Sequence, residues 1–160
     1  MAILNILKMK DDSETLRKKS RPVEIINERI LTLLDDMKDT LKDSGGVGLA
    51  APQVGVLRRV VVIDDGEKIV ELINPVLVEE CGEQEEVEGC LSIPMQWGYT
   101  KRPAKVVCEA LDRNGKTFRI EGTDLLARCL CHETDHLDGV VFTDKVTKML
   151  SEDEVEQLGS

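Results

Sequence analysis

The chain has 160 residues, with 21 Lys and Arg against 31 Asp and Glu, a formal charge of −10. That length suits one domain with a core of its own. The acidic balance, with one Trp, one Tyr and two Phe, excludes a binder of phosphate backbones or stacked bases, and 41% hydrophobic with 32% charged residues excludes a disordered chain.

Residues up to Pro22 read as extended or irregular. The first strong helix follows, because Ile26, Ile30, Leu33, Leu34, Met37 and Leu41 recur at three- and four-residue spacing. Asn27 is its N-cap and Ser44-Gly45-Gly46 its stop. Residues 46–55 are glycine-rich and nearly uncharged, so the backbone there either turns tightly or closely approaches something else. No Lys-Ser/Thr pair follows, which excludes a phosphate loop. Residues 58–63, 69–78, 104–111 and 116–121 are β-branched runs that predict strands. Asp64-Asp65-Gly66 and Arg113-Asn114-Gly115 read as hairpin turns, and Pro75 predicts an edge strand or a bulge. A second helix is predicted from Thr123 through Leu137, ended by Gly139. Residues 151–158 predict a short acidic helix with a Ser151/Glu154 capping box. The order of helix, strands and helix is that of an α+β domain, expected to occupy residues 1–160 as a single unit.

The chemistry concentrates in few residues. Both histidines fall in His132-Glu133-Thr134-Asp135-His136, an HExxH pattern. Residues i and i+4 share a helix face, so both imidazoles can reach one metal while Glu133 stands beside them to work on a water. The bland alternative, a buried or capping histidine pair, is weakened because unpaired His and Glu in an otherwise apolar helix are costly. A catalytic metal usually takes three protein ligands. A third histidine where one related motif places it is excluded by Phe142, and the downstream acids Glu152, Asp153, Glu154 and Glu156 lie on a solvated terminal helix. Cys129 shares the histidine face, but positions 129, 132 and 136 span about 10 Å at 1.5 Å per residue, too long a line for convergent bonds. Cys108 and Cys131 carry no assigned chemistry and Cys81 lies in a charged turn. Cys90, in Glu88-Gly89-Cys90-Leu91-Ser92, is left as the thiolate that completes a Cys-His-His set. Five cysteines cannot all pair within the chain. The start of the chain reaches charged residues 8–12 too soon for a secretory signal, so reduced thiols and a cytoplasmic setting are expected.

Residues 46–53 (GVGLAAPQ), 88–92 (EGCLS) and 132–136 (HETDH), in this order, resemble the three signature motifs of the peptide deformylase family. Arg102-Pro103 and residues 137–142 agree as flanks, and the resemblance runs from Ile6 to about Val146. It implies mostly antiparallel strands packed around a central metal-binding helix, with an N-terminal helix and a short C-terminal one. It implies removal of the formyl group from the N-terminal formyl-methionine of nascent polypeptides. Carried over residue by residue, Cys90, His132 and His136 bind one divalent metal, natively ferrous iron, with zinc, nickel or cobalt as alternatives. Glu133 is the general acid/base, and the Gln53 side chain with the Leu91 N–H holds the oxyanion. A peptide laid along Val47, Gly48 and Gly89 would pair with exposed backbone, and Val47, Leu125, Leu126 and Cys129 are candidates for the methionine slot, or equally plain core.

The chain departs from the family pattern at Met95, where glycine is common, at Trp97, where a polar or basic residue is frequent, and at Cys131, where glutamine is common. Its acidic C-terminus predicts at most weak ribosome contact. A monomer without nucleic-acid specificity or membrane attachment is expected. Two other readings stand beside the deformylase: an HExxH metallopeptidase, disfavoured by Cys90 as third ligand, and a non-catalytic metal-binding module, which need not keep Glu133 and Gln53.

Overall fold

The structure is a computed structural model that describes residues 2–158. The elements run α1 (Met9–Leu16), α2 (Glu28–Ser44), β1 (Gly48–Ala50), a 3-10 turn (Ala51–Val54), β2 (Val60–Asp64), β3 (Ile69–Cys81), β4 (Gln84–Cys90), β5 (Ile93–Arg102), β6 (Lys105–Leu111), β7 (Thr117–Thr123), α3 (Asp124–Leu137), β8 (Val146–Met149) and α4 (Glu152–Leu158). All named strand pairs are antiparallel and form two sheets, β1-β2-β3-β6-β7 and β4-β5-β8.

The large sheet is covered on both faces. In β2, Val61 and Ile63 point into one core with Ala127, Leu130 and Leu137 of α3, whereas Val60 and Val62 point into another with Leu33, Leu34, Met37 and Leu41 of α2. Alternation along a strand thus explains the unbroken apolar run at residues 60–63. Fully burying each such aliphatic side chain stabilises by about 1.5–3 kcal/mol. The Asn27 side chain accepts from the Ile30 N–H at 3.2 Å, and Gly45, at φ 71°, ends α2.

The expected α+β fold is present, with α3 between the two sheets. It packs on the large one and reaches the small one through His132–Glu88 and Asp135–Arg102 contacts. Both expected hairpin turns join their strands, and Ser151 and Glu154 cap α4 reciprocally. Pro75 lies where the β3–β6 register shifts, so it marks a bulge in an inner strand, not an edge. The N-terminal stretch differs from expectation. It contains α1, kinked at Asp12 and anchored by the buried Leu16. Strands β1, β4, β5 and β8 were not expected from residue pattern. No helix among the described residues is long and apolar enough to cross a membrane.

Candidate metal centre and active site

Three segments converge at the seam between the sheets. The first is β1 and the turn after it. The Gln53 Oε1 accepts from the Ala50 N–H at 2.9 Å, which fixes the amide and turns its NH₂ outward. That NH₂ lies 3.2 Å from Ser92 Oγ and 3.6 Å from Cys90 Sγ. The second segment is the end of β4, where Cys90 leads into the tight Leu91-Ser92 turn to β5. The third is α3. Asp124 opens it, Asp138 caps it, and one face carries Cys129, His132, Glu133 and His136 inward, all buried.

Cys90 Sγ is 3.3 Å from His136 Nε2, and one ligand atom each from Cys90, His132 and His136 lies within 4.8 Å of the others. Bonds of 2.0–2.3 Å around a tetrahedral ion place ligand atoms about 3.5 Å apart, so the set fits one divalent ion. Cys129 is not part of this cluster; it is a buried wall whose thiol is pushed well up, first by burial and then by Glu133.

The site holds positive charge well. Burial opposes protonation of His132, but Glu133, Cys90 and Glu88 outweigh it and raise its pKa well above the ordinary value. The same negative groups favour a bound cation. His136 shifts the other way, lowered by burial and by the neighbouring His132 and Arg102. It is thereby kept neutral, the form that ligates. Its Nδ1 and the Glu133 Oε1 are buried without a protein hydrogen-bond partner. An unpaired buried carboxylate oxygen beside a convergent donor set is what a site built around a water or substrate would leave; the His136 Nδ1 is the ring nitrogen that does not face Cys90.

Glu133 is pushed up to about 7, first by burial, with His132 pulling the other way. Its Oε2 is 4.0 Å from His132 Nε2. Gly48 makes room for it: a Cβ there would stand 2.7 Å from Glu133 Oε2 and 2.8 Å from Cys129 Sγ. Behind the histidines lies a network that residue pattern did not reveal. His132 Nδ1 faces Glu88 Oε1 at 2.8 Å. Arg102 donates to both Glu88 oxygens at 2.9 Å and to Asp135 at 2.7 Å, and Thr100 donates to Glu88 as well. Burial alone would raise Glu88, but His132 and Arg102 hold it well below the usual carboxylate range.

A cleft of about 450 Å³ opens onto this centre, lined by Val47, Gly48, Gly89, Leu125, Cys129 and Trp97 among others. It therefore gathers every expected substrate-binding position except Leu126, which packs against the core on the sheet side. Leu91, half-buried, lines it too, with its side chain against Gly46.

A sequence model of the polypeptide deformylase family matches residues 3–152. The chain belongs to the peptide deformylase family. The peptide deformylase of Acetivibrio thermocellus is 60% identical over 147 residues, covering 92% of this chain and 86% of that one. That of Thermoanaerobacter pseudethanolicus is 58% identical over 158 residues, covering 99% and 98%. The crystal structure of a peptide deformylase from Legionella pneumophila superposes with a TM-score of 0.86 at 43% identity, covering 99% of this chain and 96% of that one. Peptide deformylases are metal-dependent hydrolases that take the formyl group from nascent formyl-methionyl peptides, and this chain is such an enzyme.

Proposed function

We propose that this deformylase works through Cys90, His132 and His136 as holders of one divalent ion, Glu133 as general acid/base, and Gln53 with the Leu91 N–H as oxyanion donors. The observation that carries this reading is the convergence of the Cys90, His132 and His136 ligand atoms within 4.8 Å, beside a carboxylate raised to about 7. Such an ion, when bound, supplies a Lewis acid that lowers the pKa of a water toward neutrality. Glu133 Oε takes a proton from the water that attacks the formyl carbon. As the C–N bond breaks, Glu133 returns that proton to the leaving amine, giving formate and a free N-terminus. A carboxylate with a pKa near the working pH suits both transfers.

Charge develops on the formyl oxygen only as the tetrahedral species forms. The Gln53 NH₂, oriented by its Ala50 bond and aimed toward Cys90 and Ser92, is placed to donate to it. Glu88 fixes the His132 ring and Arg102 fixes Glu88, so the donor set is held before substrate arrives. The peptide lies along the free edges of β1 and β4, with the methionine side chain toward Val47, Leu125 and Cys129.

Ferrous iron is the proposed native metal, with zinc, nickel or cobalt able to take its place. The protein acts as a cytoplasmic monomer, residues 1–160 forming one catalytic domain. The acidic α4, which opens with Glu152, Asp153 and Glu154, gives any ribosome contact little electrostatic help. The test is anaerobic purification, metal analysis, and activity after reconstitution with each metal. Iron activity lost in air and retained with nickel or cobalt is the expected pattern; equal air-stability of the iron form would contradict the metal assignment.

A further inference from the structure

The β4–β5 ladder is irregular at one place beside the cleft. Cys90 pairs with Ile93 and Glu88 with Gly98. Between those pairs β4 has only Gly89, whereas β5 has Pro94, Met95, Gln96 and Trp97. The surplus residues form a protrusion at the cleft rim. Met95 adopts φ 66° there, a left-handed conformation that favours glycine, and it is 83% exposed. Bulges of this kind re-aim side chains next to active sites.

Here the protrusion turns Trp97 back over β4. A Cβ added to Gly89 would overlap the indole, so the ring lies directly on the Gly89 backbone. Strand alternation fixes the rest. Gly98, Thr100 and Arg102 point inward and are buried, so Trp97 and Tyr99 share the outer face, with Val87 paired to Tyr99. Trp97, the only Trp of the chain, lines the cleft mouth, and the only Tyr follows two residues on along the same strand face. The adjoining rim, residues 94–97, carries no charged side chain.

From this geometry we propose that Trp97, flanked by Met95 and Val87, is a specificity-determining platform for an apolar or aromatic side chain downstream of the formyl-methionine. The inference rests on the substrate lying along the β4 edge with its formyl group at Cys90. An extended peptide so placed runs past Gly89, and its side chains alternate in direction. The methionine side chain goes toward Val47 and Cys129, and one of the two following side chains meets the indole. Ring-on-ring or ring-on-aliphatic contact there favours such a residue over alanine by about fivefold.

The test uses metal-loaded enzyme and three peptides, formyl-Met-Ala-Ala, formyl-Met-Phe-Ala and formyl-Met-Ala-Phe. One phenylalanine peptide is expected to show about fivefold higher kcat/KM than the alanine peptide, mainly through KM. That peptide is also expected to shift the emission of the lone Trp97, a readout independent of turnover. Trp97→Ala is expected to bring the ratio of the two peptides toward one, and Trp97→Phe to keep part of it. The ratio is taken within each variant, so lower overall stability does not mimic the effect. Equal kcat/KM for all three peptides with unchanged emission, or a preference that survives Trp97→Ala, would overturn the platform while leaving the deformylase mechanism intact. If none of the peptides loses its formyl group, the mechanism beneath it fails as well.

Discussion

Glu88 reaches across from β4 to face His132 on α3, with Oε1 2.8 Å from Nδ1, and Arg102 clamps the same carboxylate from the other side. The contact sets which imidazole nitrogen is free to face Cys90, and a partner of this kind typically governs metal affinity by 10–100-fold. Glu88→Gln is therefore expected to weaken metal retention by roughly that factor with the fold preserved. Competition with a chelator, followed by metal analysis, checks it; unchanged affinity would show that the contact does not orient the ligand.

Arg102 contributes differently. It is buried, and it neutralises Glu88 and Asp135 together. Arg102→Met leaves the buried Glu88 with His132 and Thr100 alone to balance it, and removing one partner of a buried pair costs about 3–5 kcal/mol. The expected result is a large fall in thermal midpoint, read by calorimetry, and a stability that no longer tolerates neutral pH as well as mildly acidic pH. Without the guanidinium, Glu88 must take up a proton to remain buried, so lower pH should partly restore the variant.

Gly48→Ala separates catalysis from folding. The new methyl would press on Glu133 Oε2 and Cys129 Sγ at 2.7 and 2.8 Å, so Glu133 must shift. Glu133→Gln removes proton transfer without adding bulk, and general acid–base groups contribute about 10²–10⁴-fold. Both variants are expected to keep the metal and lose kcat, Glu133→Gln by about that factor. Formate release alongside metal content checks this; loss of metal in Glu133→Gln would make Glu133 a ligand instead.

Thiol chemistry reads the metal site from another direction. Burial pushes the Cys108 and Cys131 thiols up to about 11 and Cys129 well up, which keeps all three protonated and slow to alkylate. Cys81 is exposed. Alkylation near neutral pH, followed by mass spectrometry, is expected to label Cys81 in the metal-loaded enzyme and Cys90 as well after chelation. Equal labelling of Cys90 in both states would remove it from the ligand set.

The sequence pattern revealed α2 and α3 because a burial stripe and end signals agree there: Asn27 does cap, and Gly45 does stop α2. It concealed β4 and β5 for a physical reason. Apart from Ile93 at the start of β5, the inward positions of these strands are Glu88, Cys90, Gly98, Thr100 and Arg102. Their buried face is thus a polar network, not a hydrophobic one, and leaves no apolar alternation to detect. That network also contains the parts of the site the pattern missed, Glu88, Arg102, Thr100 and Asp135. A carboxylate and a guanidinium at inward strand positions were the available signal. The HExxH residues were legible because a helix turns sequence spacing directly into a shared face. Cys90 emerged because the other cysteines could not converge, and the structure places its sulfur beside His136.

The most direct test of the central claim is formate release from formyl-Met-Ala-Ser by anaerobically purified, iron-loaded enzyme, with Cys90→Ala measured in parallel. Stoichiometric formate from the wild type, with one metal ion per chain, and loss of both in the variant is the expected result. A formyl peptide left untouched by metal-loaded wild type, or a Cys90→Ala enzyme that keeps its metal and its turnover, would contradict it.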